Sequence, residues 1–183
     1  MPTKIIQAGN PVLRQKAKSV EKSAVESRKI AGVIKRMKTV LGKEGFGVAI
    51  AAPQIGESLR IFVVAGKVFD SKQKQEVSAS RDRVFINPEL VRVSKLKKEM
   101  TEGCLSVRNK YGSVMRHEKT SVTALDEKGS PFVYHGSGLA AQIFQHEVDH
   151  LNGILYTDKA VAVVDDEDWK ELKEKRAKRK NHA

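Results

Sequence analysis

Two histidines spaced four residues apart carry the strongest chemical signal in this sequence. The segment His146-Glu147-Val148-Asp149-His150 has the form HExxH. On a helix, side chains at positions i and i+4 project from the same face, so two imidazoles can hold one divalent metal ion. The glutamate beside them can act as a general base on water that the metal activates. The alternative interpretation is a pair of surface histidines on a polar helix face.

The pattern around the motif favours the metal over the surface pair. We expect a helix from Leu139 to Leu151, because Gly-Ser-Gly precedes this stretch and Asn-Gly follows it. Leu139, Ile143, His146 and His150 recur at i, i+4, i+7 and i+11, so the histidines extend an apolar stripe. A buried histidine pair with nothing to coordinate would be costly.

A third protein ligand must come from outside this helix. The chain has one cysteine, Cys104, within residues 102–106 (EGCLS). A thiolate is a good ligand for a divalent transition metal, and one cysteine with two histidines leaves a fourth, catalytic position open. The alternative for a lone cysteine is a small buried apolar residue.

A third segment is rich in small residues. Residues 45–56 (GFGVAIAAPQIG) would let the backbone of a ligand approach closely, and Gln54 offers an amide donor. Neither GxGxxG nor GxxxxGK[ST] fits this stretch, which argues against a phosphate-binding loop.

These three segments, in this order, resemble the peptide deformylases. The family pattern is Gly-x-Gly-Φ-Ala-Ala-x-Gln, then Glu-Gly-Cys-Leu-Ser, then Gln-His-Glu-x-Asp-His. Residues 47–54, 102–106 and 145–150 match it, and the resemblance covers about residues 1–158. The sequence departs from the family at Ala49, where the pattern has its second glycine. It departs again at 108–110 (RNK), where the family often has proline.

The resemblance implies an enzyme that removes the formyl group from N-formylmethionine at the start of nascent polypeptides. Cys104, His146 and His150 would hold one divalent metal ion per chain. Fe²⁺ is the usual ion in the family, and Zn²⁺, Ni²⁺ or Co²⁺ can occupy such a site. Glu147 would take a proton from the attacking water and help to protonate the leaving amine.

The resemblance also implies how the substrate is held. The side chain of Gln54 and the backbone N–H of Leu105 would stabilise the developing oxyanion. Glu102 is expected to act mainly by positioning the site. The residues placed at or beside the bound peptide are Val48, Ala49, Glu102, Ile143 and Arg108.

The remaining periodicities predict an α+β fold, with antiparallel strands around the HExxH helix. An amphipathic helix is predicted over residues 22–41 and an exposed loop over 70–83. Short strands are predicted at 61–65, 84–86, 90–93, 121–125 and 132–134. Residues 165–180 are acidic first and basic last, which suits the dipole of a carboxy-terminal helix.

Composition limits the class of protein. The chain has 183 residues, 40% of them hydrophobic and 31% charged, which indicates one globular domain. We expect a catalytic domain over residues 1–164 and a charged helix or tail over 165–183 that is not an independent domain. One cysteine excludes an internal disulfide, and no apolar run approaches the length of a membrane span. Without a recognisable targeting segment we expect a cytoplasmic, bacterial-type protein, and an organellar mature form remains open.

The charge distribution raises the question of partners. The net charge is +12, and residues 1–46 contribute +8. A basic surface favours polyanions, but it also occurs in proteins that bind none. The basic tail 173–180 is either a solvated helix end or, as the resemblance to the deformylases implies, a segment that docks on ribosomal RNA.

Three other functions remain open from the residues. A basic nucleic-acid-binding module is disfavoured, because the ten aromatic residues do not interleave with basic ones. A zincin-type endopeptidase is disfavoured by the chain length and by Cys104 as third ligand. Ala49 motivates the third: a deformylase-like protein with altered N-acyl-peptide specificity or weak activity.

Overall fold

Two antiparallel sheets and two longer helices form the fold. A computed structural model describes residues 4–69 and 82–171. The strands are β1 (Ala49–Ala51), β2 (Ile61–Val64), β3 (Arg83–Val93), β4 (Lys97–Cys104), β5 (Val107–His117), β6 (Lys119–Leu125), β7 (Pro131–Ser137) and β8 (Val163–Asp165). The helices are α1 (Arg28–Lys43), α2 (Leu139–Leu151) and α3, described over residues 166–171. The larger sheet has the order β1-β2-β3-β6-β7, and the smaller one has the order β4-β5-β8.

Helix α1 begins later than the predicted start at residue 22. The Ser27 side chain accepts a hydrogen bond from the backbone N–H of Ile30 at 3.3 Å and caps the first turn. Residues 22–24 form a short 3₁₀ turn instead. The predicted apolar face is confirmed as buried, and it packs against the larger sheet.

Helix α2 has the bounds that the sequence predicts and carries residues 146–150. It packs on the larger sheet through aromatic rings: Phe144 of α2 forms a tilted pair with Phe85 of β3, with 5.3 Å between the ring centroids. Phe85 in turn stacks on Phe62 of β2, with centroids 4.5 Å apart. The predicted buried stripe is wrong at one end, since Leu139 is 53% exposed. Leu139 lies at the edge of a cleft, whereas Ala141 in the same turn is buried.

Strand β3 corrects the two short strands predicted at 84–86 and 90–93. The chain runs through Asn87-Pro88 as one strand with an irregular register against β6. Asn87 has a φ of +51°, and its side chain exchanges two hydrogen bonds of 2.8 Å with the backbone of Val20. These long-range bonds stabilise the positive φ of Asn87 within the strand. From the sequence alone, Asn87-Pro88 predicts that the strand ends there.

The β4–β5 hairpin was not predicted. Its strands are largely polar, with the burial pattern of β4 mostly exposed, so the alternation that marks a half-buried strand is weak. The hairpin nevertheless carries Cys104 at the end of β4. Strand β8 adds to its other edge by pairing with residues 110–112 of β5.

Some predictions fall outside the described residues. The predicted loop 70–83 lies mostly within 70–81, and the basic tail lies within 172–183. The carboxy-terminal helix is confirmed from residue 166 to residue 171. Across residues 4–69 and 82–171, no helix has both the length and the apolar character that crossing a membrane requires.

The close approach behind α2 yields a stability prediction. Gly153 has a φ of +76°, and a Cβ there would lie 2.5 Å from the carbonyl oxygen of Arg14. Gly56 has a similar φ of +85° but open space around it, which makes it the matched control. Gly56→Ala should cost about 1–2 kcal/mol for the left-handed backbone, and Gly153→Ala should cost clearly more because backbone must also move. Urea unfolding measures both, and equal losses would show that the contact with Arg14 is unimportant.

Candidate metal centre and substrate cleft

Three side chains from two elements converge on one point. The ligand atoms of Cys104, His146 and His150 all lie within 4.8 Å of one another. Cys104 ends β4, and the histidines lie one turn apart on α2. Cys104 Sγ is 3.1 Å from Nε2 of His150, which is 1% exposed. One sulfur and two imidazole donors at this spacing fit a divalent transition metal.

The electrostatics of the three donors favour the metal-binding form of the cysteine. Burial opposes ionisation of the Cys104 thiol, but His150 and His146 lower its pKa well below the usual value. Burial opposes the charged form of His146, yet hydrogen bonds to Cys104 and Glu102 raise its pKa. Because a metal binds a thiolate and neutral imidazoles, occupancy of this site would release protons.

Glu102 orients His146. Its Oε2 lies 2.8 Å from Nδ1 of His146, so the Nδ1–H donates to the carboxylate and Nε2 is left for a metal. Arg116 donates to both Glu102 oxygens, at 2.7 and 2.9 Å. Burial alone would raise the pKa of Glu102, but the hydrogen bonds from Arg116 and His146 lower it to about 2. The Glu102 carboxylate is therefore ionised at neutral pH, and it accepts the hydrogen bond from His146, a candidate metal ligand.

Arg116 continues this arrangement to the surface. Its Nη1 donates to Oδ2 of Asp149 at 2.6 Å, and Lys159 donates to the other oxygen of Asp149, also at 2.6 Å. The Arg116 side chain is 3% exposed, whereas that of Lys159 is 41% exposed. A row of alternating charges thus runs from solvent to His146.

Sequence reasoning missed Arg116 and Lys159. In β5 the inward-facing residues are Gly112, Val114 and Arg116, at a spacing of two. An arginine that continues the buried face of a strand requires charged partners, since an unpaired buried charge is very costly. The spacing of two that places Arg116 on this buried face was present in the sequence. It could be used only once β5 is recognised as a strand.

Glu147 lies in a different environment from Glu102. It is 4% exposed, lines the cleft, and its Oε2 has no hydrogen-bond partner within the described part of the chain. Burial raises its pKa to about 7, although His146 and His150 partly oppose the shift. A carboxyl group with such a pKa can both take and return a proton near neutral pH.

Gln54 presents its amide to the candidate ligands. Its Oε1 accepts from the backbone N–H of Ala51 at 2.8 Å, and its Nε2 donates to Ser106 Oγ at 3.1 Å. Nε2 also lies 3.6 Å from Cys104 Sγ. Leu105 follows the cysteine, lines the cleft, and accepts a hydrogen bond at its carbonyl from Gln7.

A cleft of about 310 Å³ opens beside these groups. Among the predicted substrate contacts, Val48, Ala49, Glu102 and Ile143 all line it. Ala49 lies in β1 and is not among the residues with positive φ, so its methyl group causes no backbone strain. The lining residues to which sequence reasoning assigned no role include Phe46, Tyr111 and Gln142.

Arg108 is placed elsewhere. It is not among the residues that line the cleft; instead its Nη2 donates to Glu44 Oε1 at 2.9 Å, and its side chain is 53% exposed. The next two residues, Asn109 and Lys110, do line the cleft. Asn109 has a φ of +59°, which turns the strand locally and separates the direction of Arg108 from that of its neighbours.

The pairing of Arg116 leads to a second stability prediction. Arg116→Met leaves the buried carboxylates of Glu102 and Asp149 without their shared partner and should cost about 3–5 kcal/mol. Arg14→Met is the matched control, because it removes an ion pair with Asp158 that is largely exposed and should cost at most about 1 kcal/mol. Urea unfolding of the metal-free proteins measures both. Similar losses for the two variants would contradict the role given to Arg116.

Comparisons with known proteins agree with this geometry. The polypeptide deformylase family model matches residues 2–165. The chloroplastic/mitochondrial peptide deformylase 1A of Arabidopsis thaliana is 39% identical over 168 residues, which cover 86% of this chain and 61% of the relative, less than two thirds of its length. The peptide deformylase of Desulforudis audaxviator is 36% identical over 159 residues, covering 87% of this chain and 94% of the relative.

A solved structure extends the likeness to three dimensions. The class I type b peptide deformylase of Acinetobacter baumannii, crystallised with Met-Ala-Ser bound, matches with a TM-score of 0.76 at 31% identity. The match covers 87% of this chain and 99% of that one. With the family model spanning nearly the whole described chain, the conclusion is direct: this chain belongs to the peptide deformylase family, a family of hydrolases.

Proposed function

We propose that this chain is a metal-dependent hydrolase that removes the formyl group from N-formylmethionine of nascent polypeptides. One observation carries the proposal: in a member of the peptide deformylase family, three metal-ligand atoms converge at a cleft beside a buried glutamate. The Oε2 atom of this glutamate has no hydrogen-bond partner in the described part of the chain. We assign this activity to a catalytic domain over residues 1–164, with 165–183 as a charged helix or tail of the same domain.

Cys104, His146 and His150 would hold one divalent metal ion. Fe²⁺ is the first expectation, and Zn²⁺, Ni²⁺ or Co²⁺ suit the same donors. When bound, the metal supplies Lewis-acid chemistry, which makes water more acidic and polarises a carbonyl oxygen. Glu102 keeps His146 in the orientation and tautomer that such binding requires, because it accepts the Nδ1–H.

Glu147 would move the proton. Its partnerless Oε2 can accept a proton from the attacking water as the water adds to the formyl carbon. The C–N bond then breaks, and the same carboxyl group can return the proton to the departing amine. A pKa of about 7 suits both transfers, since neither protonation state is strongly disfavoured.

Gln54 and the backbone N–H of Leu105 would stabilise the oxyanion. Gln54 is held rigidly by Ala51 and Ser106, so its amide needs little reorganisation during the reaction. Preorganised donors of this kind typically contribute about 3–4 kcal/mol each to lowering the barrier.

The cleft would take an extended peptide. We place the peptide backbone beside Val48 and Leu105, and the methionine side chain in an apolar pocket that includes Ile143. The Acinetobacter relative was crystallised with Met-Ala-Ser, a peptide of this kind.

The alternative function is a deformylase-like enzyme with altered N-acyl specificity, because Ala49 adds a methyl group to the cleft lining. Hydrolysis rates on formyl-Met-Ala-Ser and acetyl-Met-Ala-Ser distinguish the proposed function from this alternative.

A test of the chemistry changes the proposed base. Glu147→Gln keeps the shape of the side chain and should retain the metal, but it should lower formate release from formyl-Met-Ala-Ser by about 10²–10⁴-fold. Cys104→Ser is the contrasting variant, because it should lose the metal itself. Anaerobic preparation with Fe²⁺, metal analysis and a formate assay give both readouts. Turnover of Glu147→Gln within a few-fold of the unaltered protein would remove Glu147 from the proton transfer.

We also propose a cytoplasmic, bacterial-type location, with the mature form of an organellar protein as the alternative, because relatives of both kinds match.

We further propose that the basic tail contacts the ribosome, from which nascent chains emerge. Residues 172–183 contain six basic and one acidic side chain. A segment with this charge can bind the phosphates of ribosomal RNA.

Deletion of residues 172–183 tests the ribosome contact. The deletion should weaken co-sedimentation with ribosomes at moderate salt while formate release from formyl-Met-Ala-Ser stays unchanged. Replacing the six basic residues by glutamine in the full-length chain is the matched control, because it removes the charge and keeps the length. Unchanged co-sedimentation in both variants would exclude docking through this tail.

A further inference from the structure

We propose that the carboxy-terminal segment 163–171 supports one wall of the substrate cleft, with Trp169 as a positioning residue that holds the Tyr111 ring against the backbone of Gly103. Tyr111 would then bind the part of the peptide that follows its first two residues. The inference rests on the proposed function, since it takes the occupant of the cleft to be an N-formyl peptide.

Several contacts tie this segment to the cleft wall. Strand β8 pairs with residues 110–112 of β5, so that Val164 lies opposite Tyr111. Lys110 Nζ donates to Asp165 at 2.8 Å, and the Lys110 carbonyl accepts a hydrogen bond from the Tyr156 hydroxyl at 3.0 Å. Position 110 is thus held from both its side chain and its backbone.

The Tyr111 ring has two close neighbours. Its centroid is 5.8 Å from that of Trp169, with an interplanar angle of 24°. It also lies against Gly103, where a Cβ would meet the Tyr111 ring carbons at 3.0 and 3.1 Å. Gly103 lies between Glu102 and Cys104, so Trp169 is two contacts away from the candidate metal ligands.

Gly103 and Tyr111 both line the cleft. The groups assigned to proton transfer and to the oxyanion are on other elements: Glu147 on α2, Gln54 after β1, and Leu105 in the β4–β5 turn. A change in the Tyr111 ring should therefore alter peptide binding rather than the chemical step. An aromatic ring gives a large contact area at a small entropic cost, but only if it is kept in one orientation, and Trp169 supplies that constraint.

The first experiment compares peptides of two lengths. Formate release from formyl-Met-Ala and formyl-Met-Ala-Ser-Ala is measured with the full-length, iron-loaded protein. Trp169→Ala should raise KM for the longer peptide about three- to tenfold, as expected for loss of an aromatic pair. Its kcat and its KM for formyl-Met-Ala should stay within twofold of the unaltered protein. Trp169→Phe retains a ring and should restore most of the binding.

Two results would overturn the inference. An equal rise in KM for both peptides would indicate a general structural defect, and no rise for either would show that Trp169 does not support the cleft. If the unaltered protein hydrolyses both peptides, either result leaves the proposed function intact.

A second readout does not depend on turnover. Trp169 is the only tryptophan in the chain, so its fluorescence reports this contact directly. Saturation with the product-like peptide Met-Ala-Ser-Ala should change the emission, and Tyr111→Ala should abolish the change. If no formate is released at all, the proposed function fails, and this titration still decides the inference: an unchanged emission of the unaltered protein overturns it.

Discussion

The site depends on one buried cation. Arg116 on β5 bridges Glu102 on β4 and Asp149 on α2, and almost none of its side chain reaches solvent. A guanidinium in that position is tolerable only with both carboxylates in place. Glu102 is two residues before Cys104, and Asp149 is directly before His150. The pairing that satisfies Arg116 therefore also sets the distance between the hairpin and the helix that carry the candidate ligands.

The two glutamates beside the candidate ligands, Glu102 and Glu147, lie in different environments. Glu102 receives hydrogen bonds from Arg116 and His146 and has a pKa of about 2. Glu147 is buried, its Oε2 has no hydrogen-bond partner among the described residues, and its pKa is about 7. Two carboxyl groups with pKa values pushed apart in this way suit different tasks. One stays charged and positions a ligand, and the other can exchange a proton.

The two sheets contribute in different ways. The larger sheet supports α2 through a cluster of phenylalanines. The smaller sheet supplies Cys104, Glu102 and Arg116, together with the wall of the cleft. Its outer strand, β8, follows α2 closely in sequence and pairs with Lys110 and Tyr111, two residues that line the cleft.

The sequence by itself determined the features that rest on local spacing. The bounds of α2, the shared face of His146 and His150, and the strands around residues 61–65 and 121–125 follow from helix and strand periodicity. The match of three ordered motifs pointed to the family that the comparisons show. The ligand set and the roles of Glu147, Gln54 and Leu105 stay predictions. The structure brings the three candidate ligand atoms within 4.8 Å of one another, and it places Glu147, Gln54 and Leu105 in the lining of one cleft.

The tertiary structure alone decided the pairings between distant elements. Arg116 meets partners 14 and 33 residues away, Asn87 bonds to Val20, and Tyr111 meets Trp169. None of these contacts produces a local period. The direction of Arg108, away from the cleft, depends on the register and local turn of β5. Periodicity reports which face of an element is buried, but strand register and the neutralisation of buried charge decide which residues meet there.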